Sequence, residues 1–175
     1  MSFRVRHFIA ADSAAFAALN RRWIEADFDI EDSDNAQLTD PQSAIIAKGG
    51  LIAIAEDNRR VIGCGALVLP HHDPADGKRW IELVKLATDP EAQGKGVGAA
   101  VLGWLCEQAV ERGYDAIWLE TNDSLAAATR LYGRRGFRKL AGDELWPTPY
   151  ARCNLQMVLL LSDADTTNER ARMPQ

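Results

Sequence analysis

The segment Gln93-Gly94-Lys95-Gly96-Val97-Gly98 sets three glycines and a lysine between a run that reads as a strand and one that reads as a helix. Glycine lets a backbone turn tightly and bring its N–H groups close to a ligand. The first turn of a helix adds unpaired N–H donors and a partial positive charge. Together they form an anion site, typically for phosphate, and Lys95 adds a cation. A glycine-rich turn that merely connects two elements is the plainer alternative. Two nucleotide motifs come close and fail. A P-loop needs Ser or Thr after its lysine, whereas Gly96 follows Lys95. A dinucleotide fingerprint places its third glycine one residue further on than Gly98.

One side chain suits acid–base work. Glu82 sits mid-run in Trp80-Ile81-Glu82-Leu83-Val84, where a carboxylate is costly to bury unless paired or used. Strand alternation puts Glu82 on one face with Val84 and Leu86, and Lys85 on the other. The plainer alternative is a salt bridge to Arg79 or Lys85, and the facing weakens the second. Tyr132, before Gly136-Phe137, reads on its own as a packing tyrosine near a helix end. His71-His72-Asp73 reads as a polar loop: adjacent residues rarely ligate one ion, and no Cys or His partner sits at ligand spacing. No metal is expected. Cys153 has no histidine near it in sequence and is not expected to be a nucleophile.

These groups need a frame. The pattern predicts a first strand over 3–9 and an amphipathic helix from Ser13 to about Ala26, on Phe16, Leu19, Trp23 and Ile24. The acidic stretch from Phe28 to Leu38 reads as irregular, and Asp40-Pro41 opens a short helix ended by Gly49-Gly50. Three strands follow over 51–56, 61–69 and 80–87. The glycine segment then opens a helix to about Arg112. A strand over 116–120, a helix over 125–135, a strand from 137 to 140, a loop over 145–150 and a last strand over 153–161 complete the chain. Residues 1–161 read as one domain and 162–175 as a polar tail. Early grouped strands followed by strand–helix–strand–helix–strand indicate an α+β fold. Its sheet of about six or seven strands is mostly antiparallel with one parallel crossover.

Composition narrows the class. The 175 residues are 47% hydrophobic and 26% charged, as in an ordinary globular protein. A net charge of -5 argues against a nucleic-acid partner, so an anionic ligand needs a local device. No run approaches a membrane span, and Met1 to Ala10 lacks the apolar core of a secretory signal. Three scattered cysteines favour a reducing cytoplasm over a disulfide framework.

Gln-Gly-Lys-Gly-Val-Gly after Leu86-Ala87-Thr88-Asp89-Pro90, with Leu131-Tyr132 before Gly136-Phe137, resembles the GNAT N-acetyltransferase superfamily. The likeness spans roughly residues 3 to 161, strongest from Glu82 to Phe137. It implies a GNAT-like fold with splayed central strands and acetyl-CoA as co-substrate. The amides of Gln93, Gly94, Lys95, Gly96, Val97 and Gly98 would bind the pyrophosphate. The strand end at Leu86, Ala87 and Thr88 would pair with the pantetheine arm, and an N–H there would polarise the thioester carbonyl. Arg130, Arg134 and Arg135 are candidates for the 3′-phosphate. Tyr132 would protonate the departing thiolate; ordinary pKa values of about 10 and 8.5 make positioning decisive. Glu82 would take the proton of the amine. One departure stands out: Leu125 occupies the place where many members carry asparagine, with Asn122 three residues earlier.

On the acceptor side the resemblance places Trp23, Glu25, Phe28, Glu31 and Asp34, and the Trp146–Arg152 loop. Arg152 is positioned there to meet an acceptor carboxylate. The resulting expectation is an N-acetyltransferase acting by direct attack on a primary amine, with a small-molecule or amino-acid-like acceptor. A protein amine as acceptor, a non-catalytic acyl-CoA sensor and a homodimer remain open.

Overall fold

The computed structural model describes residues 2–74 and 76–161, so the tail expected over 162–175 lies outside the described residues. Its strands are β1 (Arg4–His7), β2 (Leu51–Asp57), β3 (Arg60–Val68), β4 (Trp80–Thr88), β5 (Ala116–Thr121), β6 (Arg138–Lys139) and β7 (Leu155–Leu160). They form one sheet in the order β1-β2-β3-β4-β5-β7-β6. Every neighbouring pair is antiparallel except β4 and β5. The helices are α1 (Ser13–Asp27), α2 (Asp32–Thr39), α3 (Pro41–Ala44), α4 (Val97–Glu111) and α5 (Ala126–Arg135).

Each face of the sheet has its own core. Helix α4 buries Val97, Val101, Leu102, Leu105, Cys106 and Ala109 against Leu67, Ile81, Leu83, Ile117 and Leu119, and Tyr132 of α5 joins them. A Cβ on Gly63 would lie 2.6 Å from Val97, so only glycine lets α4 sit this low on β3. On the opposite face α1 buries Phe16, Asn20 and Ile24, spaced four residues apart on one stripe. Phe16 packs there with Leu38, Ile52, Ile54, Cys64, Ala66 and Ala87.

Residues 32–39 are helical, where the sequence reads as irregular. Helix α2 buries Asp34 and Leu38, one turn apart, and Asp34 accepts from the Glu31 N–H at 3.1 Å. A helix that buries a carboxylate on its inner face lacks the apolar stripe by which periodicity is recognised.

Strand β4 decides the shape of the centre. It pairs with β5 only from Trp80–Ala116 to Glu82–Trp118. Beyond Glu82 the two strands part, as the resemblance implies. Lys85 has φ +56, and Lys85-Leu86 oppose the single Gly65 between the Val84–Ala66 and Ala87–Cys64 pairs. This is a β-bulge, which bends its strand and re-aims side chains. The simple alternation expected for β4 therefore fails after Val84. Val84 packs with the α1 face and Leu86 with the α4 face, so Glu82 and Leu86 do not share a side. Lys85 turns to the α1 face, the side of Glu82 rather than the side opposite it, and bonds to Asp34 there.

Candidate active site

The parting of β4 and β5 opens a cleft of about 850 Å³ that runs along β4 from Glu82 to Thr88 and on to the N-terminus of α4. One half is built of backbone. Gly94 and Gly96 take φ +73 and +82, which turns the chain into α4 with Gly96 as its N-cap. The first bond along the helix runs from Ala100 N–H to Gly96 O at 3.0 Å. The amides of Val97, Gly98 and Ala99 precede that bond, so the helix offers them no acceptor. Gln93, Gly94, Gly96, Val97 and Gly98 all line the cleft, as do Leu86, Ala87 and Thr88.

Two expectations for this half need correcting. Lys95 does not face the cleft; its ammonium donates to the Glu91 carbonyl at 2.7 Å. Arg130 and Arg134 line the cleft, and Arg135 does not, because the helical turn separates neighbouring side chains. Asn122 lines the cleft but donates to Arg152 O at 2.7 Å and accepts from Ser124 N–H, so it is engaged in holding the loop.

Tyr132 stands between the halves, 7% exposed and on the cleft wall. Gly136, at φ +102, ends α5, and Phe137 N–H closes back on the Tyr132 carbonyl at 3.0 Å. Burial raises the phenol above its ordinary value, so it stays protonated at neutral pH.

The other half is built of side chains. Glu82 is 4% exposed, and its partner is neither Arg79 nor Lys85 but His71, whose Nδ1 lies 3.3 Å from Oε2. Burial drives the Glu82 carboxyl up to about 7; His71 pulls it down and Glu120 pushes it up. Glu120 lies on β5 two residues beyond Trp118, the residue opposite Glu82. Both its oxygens are buried without a hydrogen bond among the described residues. Burial raises its pKa; the nearby Thr148 eases that rise, although its hydroxyl is directed at the Tyr150 backbone.

Sequence reasoning misses two residues here. His71 was expected in an unspecialised polar loop, and folding brings it back over the sheet. Glu120 carries the same signal as Glu82, a lone carboxylate inside an apolar strand. His71, Glu82 and Glu120 bring one ligand-type atom each to within 4.8 Å of one another, so the geometry of a small cation site is present where no metal was expected.

Around them Asp34 is fully buried and takes Lys85 at 2.8 Å and Arg152 at 2.6 and 2.8 Å. Arg152 also bonds Glu31 at 3.0 Å, and the Ala151 N–H donates to Glu31. Burial opposes the charge on Asp34, and Arg152 and Lys85 overcome it, holding its carboxyl below the ordinary range. Arg152 is thus committed to Glu31 and Asp34 rather than left for an acceptor carboxylate. Trp23 and Phe28 line the cleft, but Trp146 does not; it stacks on Trp118 at 4.7 Å between ring centroids. The indole is drawn from the cleft because Trp80, Trp118 and His72 offer it aromatic contacts.

The family model of the acetyltransferase (GNAT) family matches residues 15–137. N-acetyltransferase 8F1 of Rattus norvegicus is 31% identical over 90 residues, 51% of this chain and 40% of that protein. The chain thus matches less than half the length of this curated relative. A GNAT-family acetyltransferase of Staphylococcus aureus Mu50 superposes with a TM-score of 0.80 at 17% identity, covering 92% of this chain and all of that one. A putative acetyltransferase of Salmonella typhimurium, solved with its cofactor acetyl-CoA, superposes with a TM-score of 0.72 at 20% identity, covering 93% and 96%. At such identities these two structures speak for the fold alone. Among the described residues no helix is long and apolar enough to cross a membrane.

Proposed function

Because the chain belongs to the acetyltransferase (GNAT) family, we propose that it transfers the acetyl group of acetyl-CoA to the primary amine of a small molecule by direct attack in a ternary complex. The observation that carries this reading is the single cleft in which a parted strand, a glycine-framed helix N-terminus, a protonated Tyr132 and a buried Glu82 all meet. The amides at the start of α4 hold the pyrophosphate. The unpaired edge of β4 at Leu86, Ala87 and Thr88 receives the pantetheine arm as an added strand. Glu82 takes the proton of the attacking nitrogen, and Tyr132 gives its own to the leaving sulfur.

The acceptor half favours a small cationic amine. On its wall Glu82 and Glu120 stand beside Lys85 and Arg152, and both cations are already neutralised by Asp34 and Glu31 behind them. The Arg152 bonds to Glu31 and Asp34 tie the 142–154 connection to α2 across the acceptor side, which narrows the path for a polypeptide. Free-thiol release with acetyl-CoA over a panel of primary amines, amino acids and peptides tests the reading. Turnover on small cationic amines is expected, with an approximately hundredfold loss of kcat in Tyr132→Phe. Turnover on peptides alone moves the acceptor to a protein, and acetyl-CoA binding without any turnover makes the chain a sensor.

A further inference from the structure

The His71–Glu82–Glu120 cluster holds a charge that the side chains alone leave unexplained. His71 Nε2 lies 2.7 Å from the Pro147 carbonyl oxygen. A carbonyl only accepts, so Nε2 carries the hydrogen and the neutral ring presents a lone pair at Nδ1. That lone pair faces a Glu82 carboxylate oxygen at 3.3 Å. Two electron-rich atoms do not rest at that distance with nothing between them. The Glu120 oxygens beside them are buried and accept no hydrogen bond among the described residues. The occupant is therefore a proton or a bare metal ion.

The proton balance of the proposed reaction selects the proton. An acceptor that arrives as an ammonium loses two protons on becoming an amide, and the leaving thiolate takes up only one. The other must reach solvent. With the cleft filled, Glu82 has little exit of its own, since its side chain is 5% exposed. Its sheet neighbours Val68 and Trp118 do not ionise, and Lys85 is held by Asp34. His71 touches Glu82 and is 31% exposed.

We propose that His71 passes to solvent the protons that Glu82 takes from the acceptor nitrogen, and that Glu120 holds the imidazolium so formed. The proposal rests on Glu82 being the base. The ammonium gives a proton to Glu82, which hands it to His71 Nδ1; the imidazolium releases it to water while Nε2–H stays on Pro147. The amine then attacks the thioester carbonyl, the C–S bond breaks, and Tyr132 protonates the sulfur. The second nitrogen proton follows the same path, and solvent reprotonates Tyr132. One proton is released net. The groups facing this path are Glu120 from β5 and Lys85 from β4, then Asp34, Glu31, Arg152, Tyr150 and Cys153. Burial works against a charged His71, and the Pro147 carbonyl, Glu82 and Glu120 more than offset it, so its pKa is raised.

His71 is a positioning residue that acts through Glu82, and its test must separate relay from scaffolding. Acetyl-CoA and the fastest amine of the panel are followed in weak buffer. His71→Ala is expected to lose about tenfold to a hundredfold in kcat, and added imidazole to restore most of it. Glu82→Gln is expected to lose about 10²–10⁴ in kcat and not to be rescued. Should His71→Ala melt early, His71→Gln keeps a donor for Pro147 and carries the same test. Glu120→Gln removes a charge that favours the protonated forms, so the low-pH limb of kcat/KM moves to lower pH. Full kcat in His71→Ala, or a loss that imidazole leaves untouched, overturns the relay while leaving the base in place. A fully active Glu82→Gln overturns the base itself. An unmoved limb in Glu120→Gln overturns the part given to Glu120. One equivalent of tightly bound zinc in the purified protein, lost in Glu120→Gln and inhibitory until chelated, overturns the proton in favour of a metal.

Discussion

The two halves of the cleft solve the same problem, holding charge away from bulk water, with different materials. The donor half uses backbone. Its donors are helix amides and a free strand edge, fixed by two left-handed glycines and a bulge. The acceptor half uses side chains drawn from five places: α2, the β3–β4 connection, β4, β5 and the 142–154 connection. A backbone site needs only that the chain turn correctly. A side-chain site needs distant segments to meet, and each buried charge must find a partner there. On the proposed function, substrate choice belongs to the acceptor half, whose side chains can change without altering the backbone turns of the other half.

The contrast can be tested from its largest consequence downward. Glu82→Gln should cost about 10²–10⁴ in kcat with little change in acetyl-CoA affinity. The wild-type rate carries a sign as well. The base works as the carboxylate, and its carboxyl stands at about 7, so kcat/KM should fall about tenfold per unit below that pH. A limb near the ordinary carboxylate range would mean that a less buried group is the base. Asp34→Ala leaves the buried Lys85 beside Arg152 without its counter-charge and should cost about 3–5 kcal/mol of stability. For a chain of this size that is about 2–4 °C in Tm per kcal/mol, read by calorimetry. An unchanged Tm would show that the network is solvated rather than structural.

Gly96→Ala puts a Cβ on a residue at φ +82, at a cost of about 1–2 kcal/mol. Acetyl-CoA affinity should drop about fivefold to thirtyfold, by titration calorimetry, while the pH profile stays in place. A shifted profile would mean that the halves are coupled. Arg130→Gln and Arg134→Gln should each weaken CoA about twofold to fivefold and leave 3′-dephospho-CoA unaffected. Equal weakening of both ligands would remove these arginines from the 3′-phosphate.

How much was legible follows the same division. The order of strands and helices, the parallel crossover and the glycine segment are local patterns, and the sequence carries them openly. Helix α2 escaped because Asp34 occupies an inward position that periodicity reserves for apolar residues. Leu86 and Lys85 exchanged sides because one residue at φ +56 breaks an alternation that sequence can only assume. Lys95, expected to serve the anion, instead caps a carbonyl four residues back.

By itself the sequence determined the family pattern, the backbone half of the cleft, and Glu82 and Tyr132 as the groups worth watching. Tertiary structure alone decided that Arg152 is committed to Asp34 and Glu31, that Trp146 stacks outside the cleft, and that His71 and Glu120 close on Glu82. The physical reason is range. Turns, caps and helix termini are set by neighbours in the chain. The partner of a buried charge is set by which segments fold against it: Asp34 and Arg152 lie 118 residues apart and meet at 2.6 Å.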